Sequence, residues 1–158
     1  MRTLFKYLLV LLLVLVVSFA FAQEKDLCVK FNLEYTITMS QNRVAGTADL
    51  MIQDRMYAVS SNDVYVCCDG ESVWTLDMIA KEAYVEPVGE NMDELVDMKV
   101  LLSELQKMKT SGAGRLELSD GNTVEVKVNS FIETQKKSVT SFRPQIEFGP
   151  EWVVTDLR

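Results

Sequence analysis

The sequence predicts an α+β fold: one sheet of antiparallel strands partnered by a single long amphipathic helix. Three observations carry this. Residues 29–40, VKFNLEYTITMS, alternate strictly between apolar Val29, Phe31, Leu33, Tyr35, Ile37, Met39 and polar Lys30, Asn32, Glu34, Thr36, Thr38, Ser40. That is a strand with one dry and one wet face, which antiparallel sheets have and parallel sheets lack. Turn signals then recur every 8–12 residues, the spacing of a meander. At residue 91 the period changes from two to that of a helix.

The chain begins with a segment that does not belong to the fold. Arg2 and Lys6 precede an unbroken Leu/Val run, Leu8 to Val17, and then Ala20-Phe21-Ala22. A basic start, an apolar core of this length and a small-x-small end define a secretory signal, cut before Gln23. The apolar run is shorter than the roughly 18–20 residues of a membrane span. Lys25-Asp26-Leu27 before Cys28 is not a lipidation box. The expectation is an exported chain, free in a bacterial periplasm, with residues 23–158 as one domain.

Past the first strand, Ser40 to Gly46 break the alternation, and Ala48, Leu50 and Ile52 resume it. Strands follow at 56–60, 64–68, 72–76 and 82–87. Asp69-Gly70 joins two of them as a hairpin turn, because glycine accepts a positive φ there. Asn91 and Glu94 resemble a capping box. Met92, Leu95, Met98, Leu101, Leu102, Leu105 and Met108 then repeat at helical spacing, giving a helix of about 18 residues. Residues 110–114, TSGAG, end it. Two strands flank the turn Asp120-Gly121-Asn122, with Val124, Val126 and Val128 on one face. Residues 141–148 and 151–157 read as closing strands split by Gly149-Pro150.

Composition narrows the chemistry. The net charge is −7, and cleavage of the leader removes two more positive side chains, Arg2 and Lys6. Such a surface repels nucleic acid and anionic lipid headgroups. Histidine is absent. Ser-His and Cys-His nucleophiles are therefore excluded, along with the commonest general base and metal ligand. Ser138 beside Lys137 is the nearest approach to a Ser-Lys dyad. Cys67-Cys68 lacks C-x-x-C spacing, so neither a zinc site nor a redox site is indicated. Gly112-x-Gly114 lacks the rest of a phosphate loop. No cofactor, no metal and no catalysis are expected. Of Cys28, Cys67 and Cys68, an odd number, at most one pair can form; adjacent strand residues face opposite ways, so Cys67 and Cys68 cannot both meet Cys28. A bridge from Cys28 to either partner and three free thiols both remain open, with one of the adjacent pair facing the core.

A helix of about 18 residues is roughly 27 Å long, too short to cover nine or so strands. Either the sheet closes on itself around a dry core, or an apolar cavity remains that could hold an acyl chain.

Residues 46–87, GTADLMIQDRMYAVSSNDVYVCCDGESVWTLDMIAKEAYVEP, resemble the outer-membrane lipoprotein carrier (LolA) family. The matching positions are Gly46, Leu50, Tyr57, Asp69, Gly70, Trp74, Asp77, Glu82 and Val85. The tail GPEWVVTDLR is similar to that of small Bacteroidetes-type members. The resemblance implies an incomplete antiparallel β-barrel whose concave apolar face is lidded by the helix. It implies a carrier that holds lipoprotein acyl chains, or another lipid, between an inner-membrane transporter and an outer-membrane receptor. The arginine by which the family controls its lid has no match, since Ala58 stands there with Arg55 nearby. Alternation places Phe31, Leu33, Tyr35, Ile37, Leu50, Ile52, Trp74 and Leu76 on the inward face, with Leu95, Leu102 and Leu105 from the helix. A monomer is expected. The other reading is an envelope interaction module on the same half-barrel, its face filled by its own side chains. A histidine-free ester hydrolase is a distant third.

Overall fold

A computed structural model describes residues 27–88, 112–117 and 121–158. Among the described residues nine strands form one sheet: β1 Leu27–Met39, β2 Asn42–Gln53, β3 Met56–Ser61, β4 Val64–Cys68, β5 Ser72–Asp77, β6 Glu82–Pro87, β7 Ala113–Glu117, β8 Thr123–Gln135 and β9 Val153–Asp156. Their spatial order is β7-β8-β1-β2-β3-β4-β5-β6-β9. Every neighbouring pair is antiparallel except β6–β9, which is parallel.

This corrects the expected α+β half-barrel with a covering helix. The described residues are nearly all β, the sheet is mixed and not closed, and they contain no helix of seven residues or more. The helical element they do contain is the 3₁₀ turn Val139–Phe142. The helix expected over 91–108 falls outside the described residues. Within the sheet, β2 starts earlier than its pattern suggests, at Asn42. Pairing with β1 carries it, with Thr38 opposite Arg43 and Tyr35 opposite Gly46. The Tyr35 ring lies over Gly46, where an added Cβ would sit 2.7 Å from the phenol oxygen.

The registers assign each side chain to a face, because directly opposed residues point the same way. On one face lie Val29, Phe31, Leu33 and Ile37 of β1, Ala48, Leu50 and Ile52 of β2, Tyr57 and Val59 of β3, Val66 and Cys68 of β4, and Val124 and Val126 of β8. All are buried and form one core cluster. We call this the apolar face. Asn129 is a bulge in β8, since Leu33 pairs with Val128 while Asn32 pairs with Ser130. Its amide turns to the other face and donates to Asn32 Oδ1 at 3.0 Å and Glu34 Oε1 at 3.2 Å.

The other face is covered by the connection from β8 to β9. The segment expected as a strand at 141–148 instead forms part of a strap over β1–β5. Its cause is visible in three anchors. Gln53, 1% exposed, accepts from the Lys137 backbone N–H at 2.6 Å and donates to its carbonyl at 2.9 Å. A side-chain amide thus stands in for a neighbouring strand and satisfies both groups. Phe142, fully buried, packs with Cys28, Ala58 and Cys67. Arg143 Nε donates to Asp69 Oδ2 at 2.8 Å. The crossing delivers β9 to the far edge of the sheet, where it runs parallel to β6. Lys81 sits 5.1 Å over the Trp152 ring and Phe148 packs edge-on against it, fixing the approach.

Phe142→Ala removes the strap's own anchor, the largest fully buried side chain among the described residues. Its expected cost is about 3–5 kcal/mol, read from the urea midpoint; a loss below about 1 kcal/mol would show that the strap does not anchor the fold.

Candidate functional site

The apolar face is the structure's most extensive chemical feature. Its buried apolar cluster runs from β8 to β4, about 19 Å at roughly 4.8 Å per strand. Tyr35, Met39, Val64, Val73 and Val128 are partly buried and pack against its core cluster. The surroundings are poorly solvating: burial drives the Tyr57 phenol well above the ordinary tyrosine range. Burial also raises Tyr35, although a hydrogen bond with Ser61 works against the shift.

The structure divides the expected inward residues. Phe31, Leu33, Tyr35, Ile37, Leu50 and Ile52 share the apolar face. Trp74 and Leu76 do not. Trp74 opposes Cys67, Cys67 opposes Ala58 and Ala58 opposes Met51, a row on the strap face. Leu76, fully buried, opposes Tyr65 on that same face. The residue of β5 that opposes Val66 on the apolar face is Thr75. Leu95, Leu102 and Leu105 lie outside the described residues. Alternation within a strand fixes which residues go together but not which face they take. The hairpin at Asp69-Gly70 sets that phase for β5. Tyr57, Val59, Val66, Val124 and Val126 belong to the apolar face but were not among the expected inward residues. Their alternation marks them as apolar, and only the register shows which face they join.

The adjacent cysteines face opposite ways, as strand geometry requires. Both are buried, because β4 is covered on both sides. Cys67 meets Phe142 under the strap, while Cys68 belongs to the apolar face. Cys28 shares the strap face with Cys67, but three strand spacings of about 4.8 Å separate their strands. That is about 14 Å along the sheet, and a disulfide spans at most about 7 Å between Cα atoms. All three thiols are free. Burial pushes the Cys67 thiol up to about 12, with a Tyr65 hydrogen bond offsetting part of the shift. Burial raises Cys28 and Cys68 too.

Asp69 makes the turn and more. Its Oδ1 accepts from the backbone N–H of Glu71 and of Ser72, each at 3.0 Å, and Gly70 takes φ 95°. Its Oδ2 takes the Arg143 guanidinium. Burial acts to raise its pKa, but the two backbone donors and Arg143 together hold the carboxyl below its ordinary range.

Other candidate chemistry is sparse among the described residues. None of their His, Cys, Asp and Glu side chains gather in a group of three that could hold a metal ion. The Ser138 hydroxyl bonds with Thr140 and Ser141 in the exposed 3₁₀ turn. An open groove of about 380 Å³ crosses the strap face, with Met51, Tyr65 and Ile132 beside Lys30, Asp49 and Ser60.

No protein-family model matches the chain, and no curated protein matches it. The resemblance to lipoprotein carriers therefore rests on the residues of 46–87 themselves.

Two outcomes test this geometry. In native protein the three thiols stay unreactive toward a disulfide reagent at pH 8, and all three react on unfolding. Rapid labelling of any one in the native state would contradict its burial. Asp69→Asn, which cannot accept from Arg143 through the substituted atom, loses about 2 kcal/mol at pH 7. The folded pKa of Asp69 lies below its unfolded value of about 4. Its contribution is complete above that value and fades as pH falls through the folded one. The gap between wild type and variant in urea midpoints therefore closes as pH drops below about 4; a gap independent of pH would remove the carboxylate from the account.

Proposed function

We propose that the protein is a non-catalytic periplasmic carrier or binder of lipoprotein acyl chains or another lipid, which moves apolar cargo toward the outer membrane. The observation that carries this reading is the apolar face, where aliphatic and aromatic side chains run unbroken across five strands. A core of this breadth on a single-layer sheet is suited to exchanging its own contacts for those of an alkyl chain. Each buried CH₂ contributes roughly 0.8 kcal/mol, so a chain of about 15 carbons gains on the order of 12 kcal/mol before ordering costs. The export signal and the resemblance in 46–87 support the same reading. Hand-over between an inner-membrane transporter and an outer-membrane receptor belongs to this proposal too.

A second reading is an envelope interaction module without lipid cargo. The open groove on the strap face favours it, because that groove is apolar at its base and accessible while the apolar face is shut from solvent.

Native mass spectrometry of protein purified from a bacterial periplasm, with organic extraction, separates the two. The carrier reading expects stoichiometric lipid. Tyr35→Lys, on the half-buried margin of the apolar face, should lower lipid occupancy about tenfold, roughly what loss of 1.4 kcal/mol does. Trp74→Ala, on the opposite face, should leave it unchanged. A clean apo mass that also resists loading with excess lipopeptide would rule out the carrier.

A further inference from the structure

Among the described residues the sheet has two edges, β7 and β9. Val153 N–H donates to the Lys81 carbonyl at 2.9 Å, and Leu157 N–H to the Val85 carbonyl at 2.8 Å. The odd-numbered residues thus turn their backbone groups inward to β6. Those of Val154 and Asp156 turn outward, and among the described residues no strand lies beyond them. Edge strands are commonly blunted by lysine, proline or a bulge. Val153–Asp156 has no lysine, proline or bulge; it is short, at 4 residues, and its one charge, Asp156, is paired with Arg158. Instead Val153 is 63% exposed and Leu157 57%. Both lie on the apolar-face side, since Val153 opposes Glu82 and Thr155 opposes Tyr84.

We propose that β9 is a self-association edge, on which a second copy of this chain adds its own β9 antiparallel about a two-fold axis through Thr155. Side-chain complementarity selects that partner and that register. With Thr155 opposite its own counterpart, Val154 and Asp156 exchange both backbone bonds with Asp156 and Val154 of the second copy. Four hydrogen bonds form, and no outward group of the two residues is left over. On the apolar-face side the closest cross-strand pairs become Val153–Leu157, Thr155–Thr155 and Leu157–Val153. Apolar pairs and Thr–Thr pairs are among those that stabilise sheets. The Asp156 carboxylate is already held by Arg158, at 2.6 Å and 2.9 Å, so its place opposite Val154 buries no bare charge.

The neighbouring symmetric registers are worse. Centring on Asp156 sets two carboxylates directly opposite each other. Centring on Val154 calls on the Trp152 N–H, which already donates to the Gly149 carbonyl at 3.0 Å. The result is an isologous contact joining two sheets into one. It departs from the expected monomer and does not depend on whether the protein carries lipid. Four residues of edge bury less than the roughly 1,200 Å² of a tight complex, so the dimer is weak and concentration-dependent. Both copies are acidic, so moderate salt favours it.

The test is sedimentation velocity of the purified protein from about 1 µM to about 500 µM in moderate salt. The sedimentation coefficient should rise toward a dimer. Val153→Lys with Leu157→Lys sets lysine against lysine in both outer pairs and should return the monomer at all concentrations. This happens although the added positive charge lowers overall repulsion between copies. Val153→Lys with Leu157→Glu restores opposite charges in those pairs and should recover the dimer. Both positions are exposed, so neither variant threatens folding. Hydrogen exchange reads the same event locally: at high concentration the Val154 and Asp156 amides gain at least threefold protection. A wild type monomeric throughout, or a dimer indifferent to the double lysine variant, would overturn the proposal. So would an edge that binds only a strand of another protein.

Discussion

A single-layer sheet whose central strands are apolar on both faces must find a cover for each, and that constraint shapes this protein. Strand β4 shows it most plainly. Cys68 and Val66 look one way, Cys67 the other, and all three are buried. The strap face is covered in part by the chain's own segment between β8 and β9, which has too little regular structure to hold itself in place. It is held instead from below. Gln53 offers it one amide's worth of strand pairing, and the Cys28, Ala58 and Cys67 positions leave room for Phe142. Small residues on the strands and a large one on the strap meet in volume, as close packing demands.

Asp69 joins this layer to the meander. One carboxylate oxygen fixes the β4–β5 turn, and the other receives Arg143 from the strap. The two tasks are coupled, because a carboxylate already oriented by two backbone donors presents its remaining oxygen at low entropic cost. A polar residue at a tight turn thereby acts beyond its turn. The stretch CCDGESVWTLD holds two buried free thiols, Cys67 and Cys68; it is a hairpin whose tip secures the strap across the strap face.

Much of the meander was legible in the sequence, for a simple reason. Strict alternation in 29–39 and the turn residues of 69–70 are local signals, and the registers of β1 through β6 follow from short connections. What was not legible depends on contacts far apart in sequence. The strap looked like a strand, because Phe142, Ile146 and Phe148 alternate apolar and polar, and nothing local says that Gln53, more than eighty positions earlier, will claim Lys137. Trp74 and Leu76 were expected beside Phe31 and Leu50. Their actual face is decided by how β5 pairs with Cys67 and Tyr65. A single residue of phase at a hairpin reverses every side chain that follows. The six expected residues on β1 and β2 fell together because one uninterrupted pairing spans both strands.

The parallel placement of β9 also has a kinetic meaning. Strand β6 is complete by Pro87, but its partner begins only at Val153. While a chain emerges from its start, the β6 edge stays open until the strap has been laid across the sheet and β9 arrives. Contacts of such separation form late and slow folding, and an unsatisfied edge in the interval invites pairing with another chain. The same late closure makes β6–β9 a natural first point of opening in the finished molecule. Loss of the strap would release β9, and the sheet would again end at Ala83 and Val85, which are both buried when it is intact.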